Sequence, residues 1–162
     1  MAVEMFLDIK DVKGESKVKG FEDKIDIFSY SLGASNPTSV GTGGGSAAGK
    51  VSISSLSIQK IVDAATPDLF RACCSGKHFD TGKLTVREAG GDAAVEYVVM
   101  DMTQVFVDSI SWGAASGGDK PSESLSLSFA SVKITYTSQT AKGSGEKGPS
   151  AGWDIKKNAA TA

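Results

Sequence analysis

The amino-terminal segment alternates apolar and acidic side chains, which is the pattern of a strand with one buried face. The alternation runs through Val3, Glu4, Met5, Leu7 and Asp8. Successive side chains of a strand point to opposite sides of a sheet. We therefore predict a first strand over residues 3–9.

Residues 25–32 have a β-type composition, with two faces that differ. One face carries Phe28, Tyr30 and Leu32, which we expect to fill the core. The other face ends in Ser29 and Ser31, and we expect these small hydroxyl side chains to border a water-filled space.

Several later segments also follow a β pattern, with changes of phase that indicate bulges. Strands are predicted over residues 51–58, 84–88, 95–107, 125–136 and 152–156. The first of these changes phase near Ser54 and Ser55, where a β-bulge would restore the inward face. Residues 95–107 are apolar on both faces, which requires cover from a second layer or a second subunit.

One short helix is predicted between these strands. Thr66 is placed at the N-cap and Pro67 at the first helical position, and Gly76 ends the helix. Six to nine strands and one helix make the chain mainly β: a bulged antiparallel β-barrel or sandwich forming a single domain over residues 1–162. Flexible loops are expected at about 33–50, 113–122 and 141–150, and the first contains six of the 19 glycines.

Charge and apolar content exclude two classes of partner. Lys and Arg total 17 against 19 Asp and Glu, a net charge of −2, so no excess of positive charge is present to bind nucleic acid. The amino terminus lacks the basic and apolar regions of a signal peptide, and no apolar run approaches the length of a membrane span. We expect a soluble cytoplasmic protein with no membrane insertion.

The candidate chemical motifs are weak. Residues 44–50 fit a phosphate-binding loop up to Lys50, but Val51 replaces the Mg²⁺-binding hydroxyl and a β segment follows in place of a helix. His78 is the only histidine, so a site built from several histidines is excluded. Cys73 and Cys74 are expected to be free, buried thiols. We expect no catalytic residue, no metal and no cofactor.

A set of sequence blocks follows the order found in one known family. The blocks are Met1-Ala2-Val3-Glu4-Met5-Phe6-Leu7, Asp11-Val12-Lys13-Gly14-Glu15-Ser16, the glycine-rich residues 33–50, Ser75-Gly76-Lys77-His78-Phe79, Ala89-Gly90-Gly91, Val95-Glu96-Tyr97 and Gly152-Trp153-Asp154-Ile155. Over essentially its full length the chain resembles the haemolysin-coregulated protein (Hcp) family, the tube subunit of the bacterial type VI secretion system.

The resemblance implies a homohexameric ring of β-barrels, with rings stacked into a hollow tube like that of a phage tail. It also implies that the tube lies inside a contractile sheath, carries a spike protein at its tip, and holds small secreted effector proteins in its lumen. The subunit would be assembled in the cytoplasm of a Gram-negative bacterium and secreted into the medium or a target cell without a signal peptide. No fused toxin domain is expected in this chain.

The same resemblance suggests roles for two groups of residues. Ser29 and Ser31 become candidates for effector contact in the lumen. A glycine-rich arm can become ordered on a neighbouring ring at an entropic cost, so a ring-stacking loop is proposed. Its residues are Ser39, Val40, Gly41, Thr42, Gly43, Gly44, Gly45 and Ser46.

Two other functions remain open from the sequence. One is a monomeric soluble β-barrel that binds a ligand at its mouth. The other is a hydrolase with His78 as its base, for which His78→Ala would abolish activity while leaving the oligomer intact.

Overall fold

The computed structural model describes residues 2–40, 46–89, 94–140, 143 and 145–161, with the backbone alone for residues 46 and 47. Within these ranges the chain forms one helix and fourteen strands, several of only two or three residues. The elements are β1 (Val3–Ile9), β2 (Ile25–Ile27), β3 (Ser29–Ser31), β4 (Ala34–Ser35), β5 (Ser39–Val40), β6 (Ser46–Ala47), β7 (Ser52–Ile53), β8 (Leu56–Ile61), α1 (Thr66–Ser75), β9 (Phe79–Glu88), β10 (Glu96–Gly113), β11 (Ser122–Ser128), β12 (Ser131–Gln139), β13 (Gly145–Asp154) and β14 (Ala159–Thr161).

Ten strands belong to one antiparallel sheet that folds into two layers at β10. The amino-terminal half of β10 pairs with β9 and β12, whereas its carboxyl-terminal half pairs with β11. The first layer contains β2, β1, β9, residues 96–105 of β10, β12, β13 and β14. The second layer contains β3, β8, β11 and residues 106–113 of β10.

The core lies between the two layers. Alternate residues of both layers point inward, as the period of two requires. Side chains from the first layer, the second layer and the helix join one buried cluster, which includes Leu7, Leu84, Met102, Leu56, Ile58, Leu127 and Leu69.

The mainly β fold with a single helix is confirmed, and of the two expected forms, barrel or sandwich, the two-layered sheet is not closed into a barrel. The hydrogen-bonded path through the described strands has open ends at β14, β2 and β3. Each of these three strands therefore has one edge whose main-chain N–H and C=O groups are not paired with another described strand.

The segment 25–32 is two strands in different layers. β2 pairs with β1 in the first layer, and β3 pairs with β8 in the second. The chain passes between the layers at Phe28, so the alternation of faces is interrupted there. Phe28 is 53% exposed, and the expectation that it fills the core is wrong; Tyr30 and Leu32 do pack against the core.

The change of phase at Ser54 and Ser55 is a break between two strands, not the expected bulge. β7 pairs with β4, and β8 pairs with β3 and β11. The two strands have different partners, so their inward faces need not share one phase.

The carboxyl-terminal region contains more strand than the sequence predicts. Residues 145–150, placed in a loop by composition, begin β13 and pair with β12. The last predicted strand, 152–156, ends at Asp154, and β14 follows and pairs with β13. The backbone groups of small polar residues here are satisfied by sheet pairing even though their side chains carry no β pattern.

The helix forms where the sequence predicts it. Gly76 adopts φ 71°, and its N–H donates to the Ala72 carbonyl, so a left-handed glycine ends the helix as expected. The N-cap is Ala65, not Thr66. The Thr66 hydroxyl instead accepts from the Asp63 N–H at 3.1 Å. Among the described residues, no helix is long and apolar enough to cross a membrane.

A buried ion pair connects β8 and β11 inside the second layer. Lys60 and Glu123 are both fully buried, and Lys60 Nζ lies 2.6 Å from Glu123 Oε2. Asp63 Oδ1 accepts from the same ammonium at 2.8 Å, and Thr66 Oγ1 lies 3.4 Å from it. The Trp112 indole N–H donates to Glu123 Oε1 at 2.7 Å. This cluster therefore ties the start of α1 and the end of β10 to the sheet.

We predict that Lys60→Met destabilises the protein strongly. Glu123 and Asp63 would lose their shared cation in a buried site, and removing one partner of a buried pair costs about 3–5 kcal/mol. Urea denaturation at a fixed chain concentration measures the change in the free energy of unfolding.

The matched control is Lys10→Met. Lys10 Nζ lies 3.4 Å from Asp80, with the two side chains 54% and 69% exposed, so the same substitution there should cost less than about 1 kcal/mol. Equal midpoints for the two variants would show that the buried pair is not a principal contact.

Candidate functional site: the hydroxyl face

Ser29 and Ser31 lie on β3 with both side chains exposed. They stand opposite Gln59 and Ser57 of β8, while Tyr30 between them packs towards the core. The expected water-facing side of this segment is therefore the outer surface of the second layer.

The same type of surface continues across every strand of that layer. Ser57 stands opposite Ser126, which stands opposite Ser109, and the next row repeats this pattern. We call this surface the hydroxyl face. Its residues are Ser29, Ser31, Ser57, Gln59, Ser109, Ser111, Ser122, Ser124, Ser126 and Ser128.

Strict alternation along the strands produces this face. In β11, Leu125 and Leu127 are buried, whereas Ser124, Ser126 and Ser128 between and beside them are partly exposed. Cross-strand neighbours lie about 5 Å apart on one side of a sheet, so these serines and Gln59 form one polar surface. It ends at Ile61, which stands opposite Ser122, and at Phe106, which stands opposite Ser128. Two of these serines, Ser29 and Ser31, are predicted from the sequence. The alternation over residues 122–128 is the sequence signal that also indicates the serines of β11.

Hydrogen bonds within the face hold some of its side chains. The Ser124 hydroxyl donates to Gln59 Oε1 at 2.9 Å. Near the opposite end of the layer, the Ser128 hydroxyl donates to Asp108 Oδ1 at 2.8 Å, and that of Ser55 donates to Asp108 Oδ2 at 2.9 Å. Sequence reasoning missed Asp108, because a carboxylate in a strand has no distinguishing local pattern.

The described parts of the glycine-rich region contain four short strands, β4, β5, β6 and β7, where a long irregular loop is expected; we call these strands the arm. β5 and β6 pair antiparallel, with Val40 opposite Ser46, and β4 pairs with β7 at the base. Val40 is 88% exposed. Gly41, Thr42, Gly43, Gly44 and Gly45, five of the eight proposed stacking residues, lie outside the described residues.

Close packing at the base of the arm requires a glycine. The Gly49 N–H donates to the Pro37 carbonyl at 3.1 Å, and a Cβ at position 49 would lie 2.6 Å from that oxygen. Lys50 is followed by β7, so a phosphate-binding loop followed by a helix does not form at this lysine.

The remaining candidate side chains do not converge. The ring of His78 contacts that of Phe106, with centroids 5.3 Å apart. Cys73 is partly buried and Cys74 exposed, so the expectation of two buried thiols is wrong for Cys74; both are free. In the described part of the chain, no group of three His, Cys, Asp or Glu residues could hold a metal ion.

Comparison with known proteins gives consistent results. A family model described as "Type VI secretion system effector, Hcp" matches residues 6–136. Protein hcp1 of Pseudomonas aeruginosa is 45% identical over 159 residues, which cover 98% of each chain.

Solved structures give the same result. One, described as a type six secretion system protein, has a TM-score of 0.92 at 27% identity and covers 99% of this chain and 100% of its own. Hcp1 from Salmonella typhimurium has a TM-score of 0.81 at 30% identity with the same coverage. The family model spans most of the chain and the Pseudomonas relative nearly all of it, so the chain belongs to the Hcp family of type VI secretion system proteins.

Proposed function

We propose that this protein is the structural subunit of a type VI secretion tube. Six copies form a ring, rings stack into a hollow tube, and a contractile sheath ejects the tube with a spike protein at its tip. Membership of the Hcp family supports the place in secretion. The hydroxyl face is the observation that supports the role of the chain as a channel wall, with small effectors carried against it.

The edges of the second layer support a ring. β3 pairs only with β8, and residues 106–113 of β10 pair only with β11 among the described strands. The two edges differ from each other, so contact between one edge and the other edge of the next copy is heterologous. Heterologous contacts form a closed ring when the rotation between copies is suitable.

The dimensions of such a ring leave room for a protein. Four strands from each of six copies give 24 strands. At a spacing of about 4.8 Å between strands, 24 strands form a circle about 37 Å across, and strand tilt widens it. With the hydroxyl face inward, Ser29 and Ser31 line this channel. Hydroxyl groups hydrogen-bond to water and to many kinds of cargo without excluding either sign of charge.

The arm supplies the contact between rings in this proposal. It is a two-stranded projection held at its base by β4 and β7, and its exposed Val40 offers apolar surface to a neighbour. Burial of such a side chain against the next ring contributes about 1.5–3 kcal/mol per copy, and a ring has six copies.

In this proposal the subunit occupies two compartments in turn. It assembles in the cytoplasm and leaves with the tube for the medium or a target cell. Its partners are other copies of itself, the sheath, the spike protein and the effectors, and it has no enzymatic role.

A ligand-binding β protein that acts as a monomer is the second candidate. An apolar cavity of about 330 Å³ lies under the arm, lined by residues that include Leu32, Ile53, Met100 and Trp153. The Trp153 indole N–H is buried and has no acceptor within the described residues. The cavity volume is at the lower end of the range of small-molecule sites.

The mass in solution separates the two candidates. We expect about 100 kDa by light scattering after size exclusion, six times the chain mass of 16.7 kDa. A monomer at high concentration would contradict the tube subunit and favour the ligand-binding protein.

We further predict that Val40→Asp prevents stacking and leaves the ring intact. The charge cannot be buried between rings without a partner, whereas β5 and β6 form a separate two-stranded sheet and take no part in the ten-stranded one. Negative-stain images at high concentration should show single rings for this variant and stacks for the wild type. Val40→Thr, which keeps the branched shape without a charge, is the control. Normal stacking of Val40→Asp would exclude Val40 from the contact.

A further inference from the structure

Asp108 lies at the border of the hydroxyl face and, unlike the residues of that face, carries a charge. The register between β10 and β11 shifts between Val107 and Ser109, so Asp108 is the extra residue of a β-bulge and has no cross-strand partner. Bulges redirect a side chain relative to its neighbours. Here the bulge places an exposed carboxylate at the border of the serines.

Two hydroxyl groups fix the orientation of this carboxylate. Ser128 of β11 donates to Oδ1, and Ser55, which precedes β8, donates to Oδ2. An ionised carboxylate has about four acceptor positions, so two hydroxyl donors leave it able to accept from a further group. These two hydrogen bonds already restrict the Asp108 side chain. It therefore loses less conformational freedom when a further group binds.

In the described part of the chain, no cation pairs with this carboxylate. Among the described residues, no Lys, Arg or His lies within ion-pair distance of Asp108. Lys60 and Glu123 face the opposite side of the same layer and pair with each other. Within the described residues, the hydroxyl face therefore presents at its border one carboxylate that has no ion-pair partner.

We propose that Asp108 selects cargo by binding a cationic group, such as a lysine, an arginine or an amino terminus, of a protein held against the hydroxyl face. This inference rests on the proposed function, in which six copies place six carboxylates around one channel. Rings of carboxylates attract cations in other channels, and several weak contacts on one ligand add up through effective concentration.

The test uses fluorescein-labelled hexalysine as the cationic probe and hexaglutamate of the same length as the anionic one. Fluorescence anisotropy at low ionic strength compares the wild type with Asp108→Asn and Asp108→Ser. Asp101→Asn is the matched control, because Asp101 is an exposed aspartate of the first layer, opposite Lys83 and Lys133, and its loss changes the net charge equally.

We expect the wild type to bind hexalysine and not hexaglutamate. Loss of the Asp108 charge should weaken binding by about fivefold or more, whereas Asp101→Asn should change it by less than about twofold. Equal losses at the two positions would mean attraction by net charge alone and would overturn the proposal. An absence of hexalysine binding to the wild type would also overturn it.

Light scattering on the same samples distinguishes failure of the Asp108 proposal from failure of the proposed tube subunit. A ring whose hexalysine affinity does not depend on Asp108 refutes the inference and leaves the tube subunit standing. A monomer refutes the tube subunit. A monomer also overturns the inference, because it has no ring of six carboxylates.

Discussion

Strand β10 is the element on which the rest of the fold depends. Its first half is hydrogen-bonded to β9 and β12, and its second half to β11. Every other strand of the large sheet is connected to β10 through one of these three. Because one strand runs through both layers, it fixes the orientation of one layer relative to the other. The bulge at Asp108 lies close to the point where β10 passes from the first layer to the second.

The second layer combines two opposite chemistries on the two sides of the same strands. Its inner side buries leucine and isoleucine together with the Lys60–Glu123 pair, while its outer side carries serines. Apolar burial on one side supplies the driving force for folding. The other side is thereby free to present small polar groups, which is the requirement for the wall of a wet channel.

Local patterns predicted the parts of the fold that depend on local physics. The alternation at residues 3–9 gave β1, and the proline and glycine at the two ends of α1 gave the helix. Phe28 was misplaced because the change of pairing partner between β2 and β3 is a long-range event. The choice between a barrel and a sandwich stayed open for the same reason, since closure depends on which edges meet.

Part of the candidate site was also visible in the sequence. Ser29 and Ser31 stand out as hydroxyls where a strand changes from apolar to polar. Asp108 became a candidate through its hydrogen bonds with Ser55 and Ser128, which are 53 and 20 residues away in the sequence. No local pattern reveals such contacts. The family resemblance came from the order of sequence blocks and is confirmed by the comparisons.

The central claim is that the hydroxyl face lines the channel of a ring. A cryo-electron microscopy reconstruction of the purified assembly tests it most directly, because it shows which layer of each subunit faces the axis. We predict six copies with Ser29, Ser31, Ser57 and Ser126 pointing into the hole. A ring with the first layer on the inside, and Lys83 and Asp101 facing the hole, would contradict the account.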